Sequence, residues 1–397
     1  MIYLVIFILL VILAIRYDIQ GKTKYRDQWY YMVLVILILV AGLRWRIADD
    51  TARYLYSFYH ETPYLWNLTG EGLLYSGTPP LWILLNSIVK TIGGKFFIVQ
   101  LIQATIVDTL FFKYFKKHSP YPFACVVLFF FWRYQYFNMM IMKAAMALSI
   151  IMFANDYLLE KKYKKWFLLI IVATGFHQSS ILMLITPFML FLRLNMLGVF
   201  VLVCTYFIGM ILQSMLGDVF QLLAFSDGVY NKLDSYLDNP LFTSQIHNLN
   251  YFIVKVFPVI IYPIISLLYV KWKCKDTKIL QFEPFVMMGL VMQAMQFNIH
   301  LFYRFTYIYY VYYMIFIVHF FIEYSRRSFW LSRTLAYTRT FVVVLPFFAC
   351  LYYAFGPFSD VFYNPYSSVI ERSIDKTREK RYSSSENTIH AYREDEY

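Results

Sequence analysis

The sequence predicts an all-α fold, a polytopic integral membrane bundle of about 12 transmembrane helices. Of its 397 residues, 60% are hydrophobic and only 15% are charged, against about 25% charged residues in a typical soluble domain. Apolar runs such as 1–15, 96–112 and 251–270 approach the roughly 20 residues that a helix needs to cross the hydrocarbon core. Aromatic residues make up 21% of the chain, and many are expected to form belts at the two membrane interfaces.

The charges are distributed as in a membrane protein whose basic loops face the cytoplasm. The net charge of +12 could indicate nucleic-acid binding, but Lys and Arg stand in short clusters between apolar runs. The positive-inside rule places such clusters on the cytoplasmic side, so nucleic acid is excluded as a partner. The predicted cytoplasmic clusters are residues 16–26, 113–117, 160–165, 271–278 and 326–339.

Because all these clusters are predicted on the cytoplasmic side, the chain must cross the membrane an even number of times between any two of them. This condition determines the predicted spans and puts both termini outside. The stretch near 80–92 must not cross, because crossing would move cluster 113–117 outward, so a re-entrant or interfacial helix is predicted there. Residues 166–192 are interpreted as a hairpin of two short spans, with one long helix as the alternative. The predicted spans are 1–15, 28–43, 96–112, 121–137, 139–159, 166–177, 179–192, 196–213, 251–270, 284–300, 304–324 and 339–355.

One multi-span transmembrane domain is predicted over residues 1–358, with outer loops at 44–80 and 214–250. Residues 359–397 are polar and are predicted to form a partly disordered C-terminal tail. The four cysteines lack the spacing of a zinc site or of a disulfide framework. The first apolar run lacks a basic n-region and a cleavage site, so we expect it to stay attached.

Ionisable residues outside the cytoplasmic clusters collect on the predicted outer face. Each has an ordinary interpretation: Arg and Lys near helix ends snorkel to headgroups, a His beside serines satisfies a polar turn, and Asp caps a helix. Convergence of four groups from distant segments is harder to explain in this way, because charge at membrane depth is costly. The groups are Arg44, Arg46, Asp49 and Asp50; Arg133 and Lys143; His177; and His300 with Arg304.

These residue types suit a substrate that carries phosphate. Guanidinium groups bind phosphoryl oxygens in pairs and stabilise negative charge on a leaving diphosphate. A carboxylate or an imidazole can accept the proton of an attacking hydroxyl. The scheme requires no metal ion and no other cofactor, and adjacent aspartates are a poor metal motif because neighbouring helical side chains diverge.

Short motifs recur along the chain in a characteristic order. The first motif spans residues 42–54 and carries Arg44, Ala48, Asp50 and Tyr54. The second is Lys143-Ala144, at the start of a later predicted helix. In order and spacing these motifs resemble the EpsG family of Wzy-type polysaccharide polymerases, in which Gly is usual at position 48 and Arg-Gln at 143–144. The later matching elements are Phe176-His177 with Ser179, Arg304-Phe305 with Tyr307, and Tyr363 with Pro365-Tyr366.

The resemblance implies a glycosyltransferase of exopolysaccharide, capsule or O-antigen assembly in the bacterial inner (plasma) membrane. It would transfer a polyprenyl-diphosphate-linked glycan to a hydroxyl of the next lipid-linked repeat unit at the outer face, releasing polyprenyl diphosphate. The implied partners are the polyprenyl-diphosphate-linked oligosaccharide and membrane lipid, with a chain-length regulator and a flippase as candidate protein partners.

The cations would hold the donor diphosphate, and either Asp50 or His177 would activate the acceptor hydroxyl. Aromatic rings of the outer segments would stack on sugars or anchor the loops at the interface; these are Tyr54, Tyr56 and Trp66. The predicted catalytic residues are Asp50, His177, Arg304 and Arg44, and the predicted substrate-binding residues are Lys143, Arg46, Tyr54 and Arg133.

Two other functions are alternatives. A flippase or transporter of lipid-linked oligosaccharide also needs cations for diphosphate, but such proteins place charge near the midplane and usually have two related halves. A membrane acyltransferase that modifies exported polysaccharide would use His177 or His300 as its base. The charges near one interface and the absence of an apparent repeat favour the polymerase.

Overall fold

The computed structural model describes residues 2–70, 77–214, 252–299, 302–328, 342–352, 363 and 366–371. Within these ranges the regular structure is helical, and the one extended pairing is an isolated bridge between Arg44 and Ser368. The all-α prediction is therefore confirmed. The chain divides into two compact units, of which the first comprises 1–184 with 355–397 and the second comprises 185–354.

The first unit is built from eight labelled helices, two of them begun by proline. Proline is favoured in the first helical turn because its missing N–H would be unpaired there, and Pro80 and Pro122 take that position. The helices are α1 (Ile2–Ala14), α2 (Arg26–Gly42), α3 (Asp49–Tyr56), α4 (Pro80–Thr91), α5 (Phe96–His118), α6 (Pro122–Phe129), α7 (Met142–Leu159) and α8 (Tyr163–Phe176). Wider π-type turns follow α1 at Ile15–Ile19 and α6 at Phe130–Tyr134 and Tyr136–Met140.

The described part of the second unit contains the helices α9 (Met196–Ser214), α10 (Tyr262–Tyr269), α11 (Glu283–Gln296) and α12 (Tyr310–Ser328). π-type turns flank α10 at Phe252–Ile261 and Val270–Cys274. Its core forms where α11 packs on α12 and the turn before it, and Gly289 leaves room there for the Cβ of Tyr309 and the ring of Tyr313. Glu283 at the start of α11 accepts from Lys271 at 2.7 Å and from the backbone N–H of Leu194 at 2.8 Å.

Each of the twelve predicted spans overlaps a helix in the described ranges. Among the described residues, six helices are long and apolar enough to cross a membrane, which indicates a multi-span membrane protein: Ile2–Ile19, Phe96–His118, Met142–Leu159, Met196–Gln213, Val256–Cys274 and Tyr303–Arg326. The count of twelve crossings stays a prediction, as does the interfacial or re-entrant placement of α4. The break expected within 166–192 is present, because α8 ends at Phe176 and His177 has extended backbone angles.

Three predicted cytoplasmic clusters meet at one end of the first unit. Asp18 pairs with Arg26 at 3.2 Å, and Lys116 pairs with Asp27 at 2.8 Å. Near the end of α7, Asp156 accepts from Lys117 and contacts the His118 ring, each at 2.7 Å. Since α2 and α8 begin at this end and α7 finishes there, the end of α2, the start of α7 and the end of α8 lie at the opposite end. That opposite end carries most of the predicted site.

Candidate active site

The turn that follows α2 buries the first predicted arginine. Arg44 is 1% exposed, and its Nη1 donates to the carbonyl of Ala41. Its Nη2 lies 3.2 Å from the sulfur of Met142, the first residue of α7. Arg44 is thus enclosed against the first residue of α7 and is not on the accessible surface. Lys143 is the next residue of α7 and follows Met142 directly in sequence.

A C-terminal strap, residues 366–371, is paired with this turn. The backbone N–H of Trp45 donates to the carbonyl of Ser367 at 2.8 Å, and the N–H of Val369 donates to the carbonyl of Leu43 at 2.9 Å. The two hydrogen bonds flank the bridge at Arg44. The strap therefore fixes the backbone on both sides of the buried arginine.

Tyr366 attaches the beginning of the strap to two further helices. Its hydroxyl donates to the carbonyl of Val40 in α2 at 3.1 Å, and its ring lies edge-on to Tyr3 of α1 with centroids 6.0 Å apart. Burial raises the pKa of Tyr366 to about 12, which extends the pH range in which its hydroxyl can donate. The motif that closes the family resemblance is thus packed against the motif that opens it.

Val369→Pro is expected to release the strap, because proline lacks the N–H that bonds Leu43. Loss of about 1 kcal/mol of hydrogen bonding should speed deuterium exchange of the amides at 43–46 by roughly 5-fold. Ile370→Pro is the matched control, because the neighbouring side chain is 86% exposed. Equal exchange in both variants and the parent protein would mean that the strap does not hold the turn.

The entry into α3 requires an unusual backbone conformation. Arg46 has φ +47° and Ala48 has φ +74°, a region that side chains with a Cβ rarely adopt. The hydroxyl of Thr51, in the first turn of α3, donates to the carbonyl of Ile47 and lies 3.3 Å from the carbonyl of Met139, so α3 packs against the π-type turn Tyr136–Met140 at this point. Glycine, the residue usual here in the family that the sequence resembles, would adopt this φ without strain.

Ala48→Gly is expected to stabilise the protein by roughly 0.5 to 1 kcal/mol, because the relief of positive-φ strain exceeds the entropic cost of glycine. Thermal unfolding of the purified protein in detergent measures the change. Ala52→Gly, within α3 itself, is the control and should lose about 1 kcal/mol as glycine does in a helix interior. A lower unfolding temperature for Ala48→Gly would contradict the strain assignment.

Lys143 and Tyr54, both predicted to bind substrate, are in contact. The Nζ of Lys143 lies 5.3 Å from the centroid of the Tyr54 ring, and that ring lies 5.6 Å from the ring of Trp82 in α4. Asp50 precedes Tyr54 by four residues in α3, so both occupy the same helix face. Asp50, Tyr54 and Lys143 are all partly exposed, which leaves an ammonium, a carboxylate and the Tyr54 ring accessible, whereas Trp82 is 4% exposed and supports that ring from inside.

His177 reaches the same region through the packing of α8 on α4. Gly175 lies so close to Leu81 that an added Cβ would be 2.6 Å from its Cδ1. Leu81 is followed by Trp82, and Gly175 is two residues before the partly exposed His177. We call Asp50, Tyr54, Trp82, Lys143 and His177 the candidate site.

The other predicted cations of the first unit are more deeply buried. Arg46 is 8% exposed, with its guanidinium carbon 5.0 Å from the Trp45 ring centroid. Arg133 is 4% exposed and lies 5.4 Å from the Trp132 ring. Both therefore contribute charge from inside the protein, at positions where a ligand has little access in this conformation.

Arg304 belongs to the second unit. It lies in the short helix Tyr303–Thr306, is partly exposed, and its Nε donates to the hydroxyl of Tyr303 at 3.1 Å. His300 lies outside the described residues, and of Asp49 only the backbone is described. Asp50, Lys143 and His177 are thus the predicted ionisable residues that stay partly exposed at this end of the first unit.

Two features of this region are absent from the sequence prediction. Trp82 lies in the stretch near 80–92, for which the sequence predicts a re-entrant or interfacial helix but no part in the site. Asp108, fully buried in α5, accepts from the Nδ2 of Asn138 at 2.7 Å, next to the Met139 carbonyl that contacts α3. An acid inside the apolar run 96–112 was the available signal, because charge at that depth needs a partner.

Comparison with known proteins adds a decisive observation. The model of the EpsG family matches residues 27–368, from the start of α2 to the middle of the strap. The chain belongs to the EpsG family. No curated protein and no solved structure matches the chain. The EpsG family is associated with polysaccharide polymerase and glycosyltransferase-like function in membranes, and the matched region includes the entire candidate site.

Proposed function

We propose that this EpsG family protein is a polysaccharide polymerase of the bacterial plasma membrane. Its substrates would be polyprenyl-diphosphate-linked oligosaccharide repeat units at the outer face. The observation that carries the proposal is the contact of Lys143 with Tyr54 and of Tyr54 with Trp82, on the same face of α3 as Asp50, in a chain of this family. These groups supply the charge, the base and the aromatic surface that glycan transfer from a diphosphate requires.

Lys143 would bind the donor diphosphate directly, since its ammonium group is partly exposed. Arg44 and Arg46 are buried in the same unit and would add a positive potential. Water screens this potential only weakly because both guanidinium groups lie inside the protein. These fixed charges would stabilise the negative charge that grows on the leaving diphosphate without requiring a metal ion. Arg304 remains a separate candidate for phosphate binding in the second unit.

Either Asp50 or His177 would accept the proton of the acceptor hydroxyl. The hydroxyl oxygen would then form a bond to the anomeric carbon of the donor glycan as the bond from that carbon to the diphosphate oxygen breaks. The bonding electrons would leave with polyprenyl diphosphate, and the proton would remain on the base. Tyr54, whose ring packs on the buried Trp82, would orient a sugar ring beside the reacting carbon.

The glycan ladder of a strain without the gene tests this proposal. Single repeat units on the cell exterior with no longer products, restored to a ladder by the wild-type gene, are the expected result. Repeat units that accumulate inside the cell would indicate a flippase instead. Full-length polymer that lacks an acyl group would indicate an acyltransferase, and either result would overturn the polymerase.

A further inference from the structure

The loop between α3 and α4 presents a flat aromatic stack. Tyr64 directly precedes the short turn Leu65–Asn67 and Trp66 lies within it, and their rings are parallel within 4°, with centroids 5.1 Å apart. Trp66 is 71% exposed and Tyr64 is 40% exposed. Because Tyr64 covers one face of the indole, the stack offers the opposite face of Trp66 as a planar surface of fixed orientation.

This Tyr64–Trp66 stack is fixed to the far end of α4. The backbone N–H of Leu65 donates to the hydroxyl of Thr91 at 2.9 Å. The Nζ of Lys90 donates to the carbonyls of Tyr59 and Thr62 at 2.8 and 2.7 Å, and it lies 5.2 Å from the centroid of the Tyr64 ring. A ring already held in place loses little conformational entropy when a ligand binds, which favours its use as a binding surface.

The helix that carries this stack also carries part of the candidate site. Trp82 in the first turn of α4 contacts Tyr54, whereas Lys90 and Thr91 hold the stack in its last turn. The eight residues from Trp82 to Lys90 correspond to about 12 Å along a helix. The stack and the candidate site are thus attached to opposite ends of the same helix, α4.

We propose that the Tyr64–Trp66 stack is a second glycan subsite, which binds a pyranose ring of the oligosaccharide while the reacting end occupies the candidate site. The apolar C–H face of a sugar ring packs on the electron-rich face of an aromatic ring. The exposed polar residues beside the stack suit a hydrated ligand; they are His60, Glu61 and Asn67. This inference rests on the proposed polymerase function and adds that the glycan is held at two points.

The test uses the purified full-length protein in proteoliposomes with lipid-linked repeat units. Trp66→Ala is expected to bind the growing glycan about 5-fold more weakly, so the mean polymer length should fall by a similar factor. Formation of the first two-unit product should change less than 2-fold, and Trp66→Phe should retain most of the length. The matched control is Trp272→Ala, because Trp272 is similarly exposed at 67% but lies in the second unit.

An unchanged mean polymer length in Trp66→Ala would overturn the subsite, and so would equal shortening of the polymer in Trp272→Ala. In either case, formation of two-unit product would still support the polymerase. No two-unit product from the wild-type protein would instead contradict the polymerase itself. A nitroxide on Trp66→Cys separates a lipid contact from a glycan contact. Relaxation of the label mainly by a water-soluble nickel complex is expected, whereas relaxation mainly by membrane-dissolved oxygen would assign the stack to the bilayer.

Discussion

Lys143→Ala is expected to reduce the rate of glycan polymerisation by roughly 100-fold, the usual effect of removing one group that stabilises charge in a transition state. The expected loss follows from the position of the ammonium group, which is accessible beside Tyr54 and lies in front of the buried Arg44. Lys143→Arg should retain at least a tenth of the activity, because it keeps the charge that would face the diphosphate. The rate is measured as repeat units incorporated per minute by purified protein.

A second lysine provides a closely matched control for this substitution. Lys165 also places its Nζ near a tyrosine ring, 5.5 Å from the centroid of Tyr157, but it belongs to a predicted cytoplasmic cluster. Lys165→Ala should therefore leave the polymerisation rate within about 2-fold of the parent, as surface substitutions usually do. Similar losses in the two alanine variants would indicate a general effect on folding or insertion, and full activity of Lys143→Ala would remove Lys143 from the site.

Asp50→Asn should lower the rate by about 100-fold to 10,000-fold if Asp50 is the base, because general base catalysis contributes that much. His177→Gln should have the same effect if the imidazole is the base instead. The pH dependence separates the two cases, since an imidazole changes its protonation between pH 5 and 8, whereas an ordinary carboxylate stays ionised there. Activity that falls as the pH is lowered from 8 to 5 would thus assign the proton to His177.

Glu160→Gln is the control for the acidic residue, because Glu160 is an exposed carboxylate of the first unit that belongs to a predicted cytoplasmic cluster. Its activity should match that of the parent protein. If Asp50→Asn and His177→Gln are both as active as Glu160→Gln, neither residue accepts the proton and the assignment of the site is wrong.

The fold could be predicted to the level of its helices because the signals are local. Apolar runs of suitable length and basic clusters between them located a helix at every predicted span. The same clusters placed the ends of α2 and α8 and the start of α7 together, since each helix must run from one end of the unit to the other. Asp50, Lys143 and His177 were therefore expected at one end, and their helix ends meet there.

The tertiary contacts that complete the site could not be predicted in the same way. Tyr366 bonds Val40 across more than 300 residues of sequence, and no periodicity reports such a contact. Trp82 belongs to α4, whose short apolar pattern indicated a membrane interface but not its contact with Tyr54. The burial of Arg44 was also not evident, because an arginine after an apolar run has the same pattern whether it is accessible or enclosed.

The central claim is most directly tested with purified protein in proteoliposomes that receive one defined polyprenyl-diphosphate-linked repeat unit. We predict a ladder of products that increase by one unit, with one polyprenyl diphosphate released for each linkage formed, and formation of both products about 100-fold more slowly in Lys143→Ala. Repeat units that remain single, or that only move across the bilayer, would contradict the account.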